Sequence, residues 1–215
     1  MRARSKSGSN IGVRSGSMEK MTEPAVKREL RERFLALRRA IAPAERREKD
    51  AAICRNIRAL ECYRRSECVA IYATDGEEPD LFGLWGEKRF FLPRYRVDLK
   101  RYELVEVADR ERELVAGKYG LLEPRPELAA AAPEFAAREL LFLTPAVACT
   151  KAGVRLGRGG GFYDRMLAGA VRPVIGVIYR CQLAEALPVE AHDRPVEVVV
   201  TEEEVVETTA VSSMN

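Results

Sequence analysis

What most constrains this chain is a series of short, almost unbroken apolar segments set between helical or turn-rich stretches. CVAIYA from Cys68, RFFLPRY from Arg89, YELVEV from Tyr102, LLFLTP from Leu140, PVIGVIY from Pro173 and VEVVVT from Val196 each read as a strand. A strand exposed on one face alternates apolar and polar residues, whereas a continuous apolar run is covered on both faces. Helices are expected at 80–87, 161–169 and 181–187, between these strands. The alternation predicts an α/β fold: three α/β/α layers around a mainly parallel central sheet. No internal repeat is present.

Two helices precede the first strand. Thr22 supplies a capping residue and Pro24 falls near the first helical position. Val26, Leu30, Phe34, Leu37 and Ile41 then recur at helical spacing. Pro43 breaks this helix and opens another, whose apolar positions are Ile53, Ile57 and Leu60.

Residues 1–22 have a different character. They are rich in Ser and Gly and nearly free of large apolar side chains, so they cannot offset their ordering entropy and are expected to be a disordered basic extension. The expected boundaries are 1–22 for this extension, 23–207 for one α/β domain and 208–215 for a C-terminal tail. The formal charge of +3 arises in the extension, where five cationic side chains face only Glu19. The remaining chain carries 31 cationic and 32 anionic side chains. A body without charge excess argues against a broad nucleic-acid-binding face. Five cysteines form no CxxC pair and are odd in number, so they read as reduced thiols. There is neither an apolar run of membrane-spanning length nor a signal-peptide core, and the expected setting is the cytoplasm, with no membrane partner.

The segment most suggestive of chemistry is RLGRGGGFYDR, Arg155 to Arg165, between a strand and a helix. Gly157, Gly159, Gly160 and Gly161 leave backbone N–H groups free to close on an anion, and a following helix N-terminus would add its dipole. The pattern is neither a Walker A loop nor GxGxxG, since Phe162 occupies the last glycine position of the latter. A tight turn that merely needs positive φ fits the glycines equally well. Arg155 and Arg158 can pair with phosphate oxygens, and Asp164 can hold a magnesium ion directly or through water. Lys27 and Arg31 lie one helical turn apart and can point at one place, or form a solvated face. Glu77 and Glu78 follow a strand end, where open α/β sheets gather ligand-binding residues, though both can be ordinary loop charges. His192-Asp193 contains the only histidine and reads as a surface turn.

Together these segments resemble the 5-formyltetrahydrofolate cyclo-ligase family, over about Lys27 to Thr201. The resemblance rests on Pro145 to Asp164 with its RLGRGGGFYD, on the N-terminal KRELR, and on Tyr72 followed by Glu78. FLPRY with Pro93, YGLLEP at 119–124, IGVIYRCQL, LPVEAHD and VVVTE support it. It implies an ATP-dependent cyclisation of 5-formyltetrahydrofolate to the 5,10-methenyl form through an N5-iminium phosphate, with Mg²⁺ and no protein nucleophile. Lys27 and Arg31 match ATP-contacting positions, Arg31 also touching substrate. Arg155, Leu156, Gly157, Arg158, Gly159, Gly160, Gly161, Phe162 and Tyr163 match the nucleotide loop, of which Arg158 to Phe162 also touch the folate. Asp164 and Asp193 match the metal carboxylates, and Ala73 and Glu78 the pterin side. Lys27, Arg158 and Asp164 would carry the chemistry.

Three departures stand out: Cys149-Thr150 in place of Phe-Asp, Glu139 in place of Asp, and Arg158 where Tyr is frequent. They put in doubt the fit of the substrate and any acidic role at position 150. The resemblance implies nothing for residues 1–22, and a monomer is expected. The remaining alternatives are a sugar-phosphate isomerase or CoA-transferase-like enzyme of a related α/β fold, which would need no ATP, and a nucleic-acid-binding module using the basic extension.

Overall fold

The computed structural model describes residues 23–117, 120–167, 169–190 and 193–208. The chain begins with α1 (Glu23–Arg39), α2 (Pro43–Ala59) and α3 (Glu61–Arg65). It continues through β1 (Cys68–Ala70), β2 (Arg89–Arg96), β3 (Arg101–Val107), α4 (Arg110–Glu113), β4 (Leu114–Ala116) and β5 (Leu122–Pro124). Then follow α5 (Pro133–Glu139), β6 (Leu141–Pro145), β7 (Ala148–Thr150), β8 (Arg155–Leu156) and α6 (Phe162–Met166). The last elements are β9 (Val174–Val177), β10 (Leu183–Ala184), β11 (Val198–Val200) and β12 (Val205–Glu207).

Seven strands form the main sheet in the order β12-β11-β9-β6-β1-β2-β3. The five inner strands are parallel, and β12 and β3 pair antiparallel at the edges. Successive strand residues point to opposite faces, and here both faces are covered. Val69, Phe90, Leu92, Leu141, Leu143, Ile175 and Val177 pack on one side with Ile53 and Ile57 of α2. Ala70, Phe91, Phe142, Val174 and Val199 pack on the other with Phe135 of α5 and Met166 of α6. This two-sided burial is the physical origin of the unbroken apolar runs, and all six expected strands are present. Among the described residues no helix is long and apolar enough to cross a membrane.

β1 continues to β2 on one side, while its other neighbour, β6, leads outward to β9 and β11. The strand order therefore reverses between β1 and β6. In such sheets the crevice at the carboxyl ends of these strands is the preferred ligand site. A three-stranded sheet, β10-β7-β8, stands beside this point and delivers the glycine-rich loop.

Several expectations need correction. Residues 80–87 form only a single 3-10 turn, Phe82–Leu84. Gly83 approaches Cys54 so closely that a Cβ would lie 3.3 Å from its sulfur, and Gly86 adopts φ +85°. The expected helix at 161–169 shortens to Phe162–Met166. Residues 181–187 are not a helix: a 3-10 turn at Arg180–Gln182 passes into β10. Gln182 is the cause. It is fully buried, donating to the Ala146 and Val147 carbonyls at 3.0 and 2.8 Å and accepting the Tyr179 N–H at 3.1 Å. That fixes the segment against the end of β6. The β4-β5 hairpin and the β7-β8 pair were not anticipated.

On α1, Leu37 is exposed, and the buried positions are Lys27, Phe34 and Arg38, followed by Ile41 after the helix end. The inward face is rotated by one residue from the apolar stripe. Residues 1–22, Tyr119, His192 and 209–215 lie outside the described residues, and with them the expected disordered extension, the Thr22 cap and most of the C-terminal tail. All five cysteines are free. Burial pushes the thiols of Cys54 and Cys149 up to about 11 and about 12.

Leu141 sits fully buried at the centre of the sheet, paired with Val69. Leu141→Ala is expected to lower stability by about 2–5 kcal/mol, as large-to-small core substitutions do, with the denaturation midpoint in urea as the measurement.

Candidate active site

A cavity of about 860 Å³ opens at the reversal point between β1 and β6. Tyr72 and Ala73 beyond β1 and Pro145 to Val147 at the end of β6 form its floor. The loop from Gly157 to Gly161 forms one wall, and α1 contributes Lys27 and Arg31. Tyr102, Leu122 and Phe162 line an apolar end.

The loop geometry draws on both readings of its glycines. Gly159 and Gly161 adopt φ of +94° and +60°, which other residues rarely do. At Gly160 a Cβ would lie 2.6 Å from the Phe162 ring. Phe162 in turn stands edge-to-face with Tyr102, centroids 5.1 Å apart, and with Tyr95 at 6.0 Å. Since α6 has only five residues, its dipole adds little. The attraction for an anion falls to the loop backbone and the surrounding cations.

Those cations converge as the spacing suggested. Arg31 donates from Nε to the Gly157 carbonyl at 2.8 Å, holding the loop against α1. Lys27, 6% exposed, donates to Asp193 at 3.1 Å and pairs with Glu190 at 3.2 Å. Burial would lower its pKa, but these two carboxylates outweigh burial and raise it, so Lys27 is cationic. Arg155 donates to Asp164 Oδ1 at 2.5 Å, while its buried Nε has no hydrogen-bond partner. Leu156 borders the cavity from β8, its side chain packed with Phe34 and Val147. Tyr163 lies beneath the Arg155 guanidinium.

Opposite the loop, Glu78 is 9% exposed. Arg158 reaches across the cavity to donate to Glu78 Oε1 at 3.3 Å and to Asp75. Burial and the neighbouring Asp75 raise the Glu78 pKa; Arg158 and Arg38 oppose the rise. Asp75 behaves in the opposite way. Burial works against its charge, yet the Glu77 and Glu78 N–H groups and the two arginines hold its carboxyl below the usual range.

Every described residue matched to the family's site lines this cavity. Of the two glutamates after β1, only Glu78 does so; Glu77 pairs with Arg38 and Arg39 at its back. Sequence reasoning missed Arg38, Asp75, Glu190 and Tyr102. Arg38 was discoverable, since it continues the Lys27–Arg31–Phe34 face by one more turn. Thr150 does not line the cavity. Its Oγ1 accepts the Val154 N–H at 3.2 Å, so the departure at 149–150 shapes a turn.

Asp164, Asp193 and Glu190 are oxygen donors on one cavity. Among the described residues no group of three or more acidic, histidine or cysteine side chains forms a metal cage. Carboxylate oxygens of this kind are hard donors that would suit Mg²⁺, which takes one or two carboxylates together with phosphate oxygens and water.

Residues 23–202 match the 5-formyltetrahydrofolate cyclo-ligase family. The 5-formyltetrahydrofolate cyclo-ligase of Mycolicibacterium smegmatis is 34% identical over 179 residues, which span 79% of this chain and 90% of that protein. The protein of the same name from Escherichia coli K12 is 33% identical over 173 residues, 76% of this chain and 93% of that one. The solved structure of Aquifex aeolicus 5,10-methenyltetrahydrofolate synthetase aligns with a TM-score of 0.75 at 32% identity, over 88% of this chain and 96% of the other.

The contact between Gly160 and the Phe162 ring gives a structural prediction. Gly160→Ala is expected to displace the ring from Tyr102 and to lower stability by about 1–3 kcal/mol in urea titration, the usual range for overpacking.

Proposed function

Because this chain belongs to the 5-formyltetrahydrofolate cyclo-ligase family, we propose that its cavity cyclises 5-formyltetrahydrofolate to 5,10-methenyltetrahydrofolate, with conversion of ATP to ADP and phosphate. The observation that carries the site assignment is Arg158, which spans from the glycine-rich loop to Glu78. One side chain thus links a phosphate cradle to a buried carboxylate acceptor, the two subsites this reaction needs side by side. Family membership also decides against the isomerase and CoA-transferase readings.

The N5-formyl oxygen is a poor leaving group and must be activated. In the proposed sequence this oxygen attacks the γ-phosphorus and ADP departs, giving an N5-iminium phosphate. N10 then adds to the activated carbon and gives up its proton, and cleavage of the C–O bond with loss of phosphate leaves the methenyl bridge. Phosphoryl transfer of this kind depends mainly on positioning and neutralisation of charge. Lys27, Arg155 and Arg158 are the groups for that task, with Arg31 and the backbone from Gly157 to Gly161 shaping the cradle. Asp164 and Asp193 would hold Mg²⁺, whose charge would neutralise phosphate oxygens. Glu78 would accept N–H groups from the pterin edge beside Ala73, and Phe162 and Tyr102 would supply flat apolar walls. No protein nucleophile is required. The catalytic unit is residues 23–207, a proposal supported by the family match to 23–202.

The decisive experiment mixes the protein with (6S)-5-formyltetrahydrofolate and Mg-ATP. Near-ultraviolet absorbance of the methenyl product is expected to rise together with ADP, each dependent on the other substrate; ATP-independent turnover would overturn the reading. Chelating Mg²⁺ is expected to weaken ATP binding in calorimetric titration, and Asp193→Asn to reduce that dependence.

Glu78 gives a pH prediction. Its acceptor function requires the ionised form, which is lost as the pH falls through a pKa raised above the ordinary value. Affinity for 5-formyltetrahydrofolate should therefore fall on the acidic side. Glu78→Gln should weaken folate binding, remove that acid limb and leave ATP binding largely intact. Equal loss for both ligands would remove the assigned role.

A further inference from the structure

Arg38 is the largest fully buried side chain of the described residues and belongs to no role assigned above. It lies in the last turn of α1, behind the turn that carries Glu78. Its Nη2 donates to Asp75 Oδ2 and Glu77 Oε2, each at 3.3 Å. Its Nη1 lies 3.7 Å from Glu78 Oε1, too far for a hydrogen bond. Both Nη1 and Nε are buried without a hydrogen-bond partner. Unsatisfied buried donors on a cation are unfavourable enough to call for an explanation.

The explanation lies in a closed ring of alternating charge. Asp75 is shared by Arg38 and Arg158, and Glu78 Oε1 is shared by the same two arginines. The two cations differ in exposure. The Arg158 side chain is 55% exposed at the end of the glycine-rich loop, whereas that of Arg38 is 0% exposed and packed. If Arg158 turns toward phosphate oxygens, Glu78 loses its hydrogen-bonded cation while remaining buried. A buried carboxylate without a cation would take up a proton, which turns one of its acceptor oxygens into a donor. Arg38 is fixed in place with Nη1 aimed at the oxygen Arg158 would vacate.

We propose that Arg38 is a positioning residue that takes over Glu78 when Arg158 engages the nucleotide, keeping the carboxylate ionised and aimed at the folate. The inference rests on the assignment of Glu78 to the folate and of Arg158 to the nucleotide. Other groups around Glu78 are Asp75 and Glu77 on its own turn, Tyr72 beyond β1 and Tyr163 on α6. Tyr72 and Tyr163 carry no positive charge, and the nearby Arg46 donates to the Glu77 and Arg38 carbonyls, so none of these groups replaces Arg38.

The test is calorimetric titration of the full chain with 5-formyltetrahydrofolate, alone and with a non-hydrolysable ATP analogue plus Mg²⁺. With the analogue bound, Arg38→Met is expected to weaken folate binding about tenfold, the loss of one good charge-assisted hydrogen bond. The loss should be smaller without the analogue, while binding of the analogue itself changes little. Arg38→Lys should restore part of the affinity, and it keeps the test open if Arg38→Met fails to fold. In a Glu78→Gln background either Arg38 substitution should have little further effect. A loss that is equal for both ligands, indifferent to the analogue, or undiminished in the Glu78→Gln background would overturn the proposal. If Glu78→Gln alone leaves folate binding intact, the site assignment itself fails, and that outcome is distinct from the failure of Arg38 alone.

Discussion

The architecture of the cleft depends on the inward face of α1 being cationic. A buried cation without a partner costs several kcal/mol, so a helix that turns Lys27 and Arg38 inward must be met by carboxylates from elsewhere in the chain. Three separate segments respond. Glu190 and Asp193 meet Lys27 from the far end of the sequence, Asp75 and Glu77 meet Arg38 from the turn after β1, and Gly157 meets Arg31 through its carbonyl. One helix thereby fixes the distance between the glycine-rich loop and the carboxylate turn. Pairing of this kind adds little net stability against a well-packed apolar alternative. What it provides here is a fixed arrangement of charge around a cavity.

The sheet determines where that arrangement can stand. Reversal of strand order between β1 and β6 leaves a crevice that the connecting helices do not fill. The turn carrying Asp75 and Glu78 leaves β1, and the chain from Pro145 to Val147 leaves β6, so both rims come from adjacent buried strands. A rigid core under both rims allows Arg158 to span them.

This logic explains what could be read from the sequence. The strands were legible because burial on both faces demands apolar residues at every position, as in Phe142-Leu143 or Val198-Val199-Val200. The site was legible where residue type and spacing coincide, as in Lys27 and Arg31 one turn apart or the glycines beside Arg155. Elements fixed by single tertiary contacts were not. Gln182 reads as a helical residue until its amide is seen holding two carbonyls of the β6–β7 connection, and Leu37 reads as core until Arg38 takes the inward position. Asp75 reads as a turn residue, which it is; its second role becomes visible only when Arg158 arrives from 83 positions away. Gln182 and Arg38 put polar groups at buried positions, and in all three cases local pattern does not encode the distant partner.

In the cleft Lys27, Arg155 and Arg158 each hold a carboxylate partner. An incoming triphosphate therefore exchanges ion pairs more than it adds them. A cation that turns to a phosphate oxygen leaves a carboxylate behind, and a carboxylate left unpaired in a partly buried site is unfavourable. Asp164 and Asp193, no longer held by Arg155 and Lys27, would turn to a divalent cation, and Glu78, passed from Arg158 to Arg38, would face the N–H donors of a folate. On this reading nucleotide binding prepares the other two subsites by removing their internal partners, so the three ligands assemble through one set of charges. On the same reading, exchange would disfavour a bare anion in the cleft, because binding without a divalent cation would strand two carboxylates beside the phosphates.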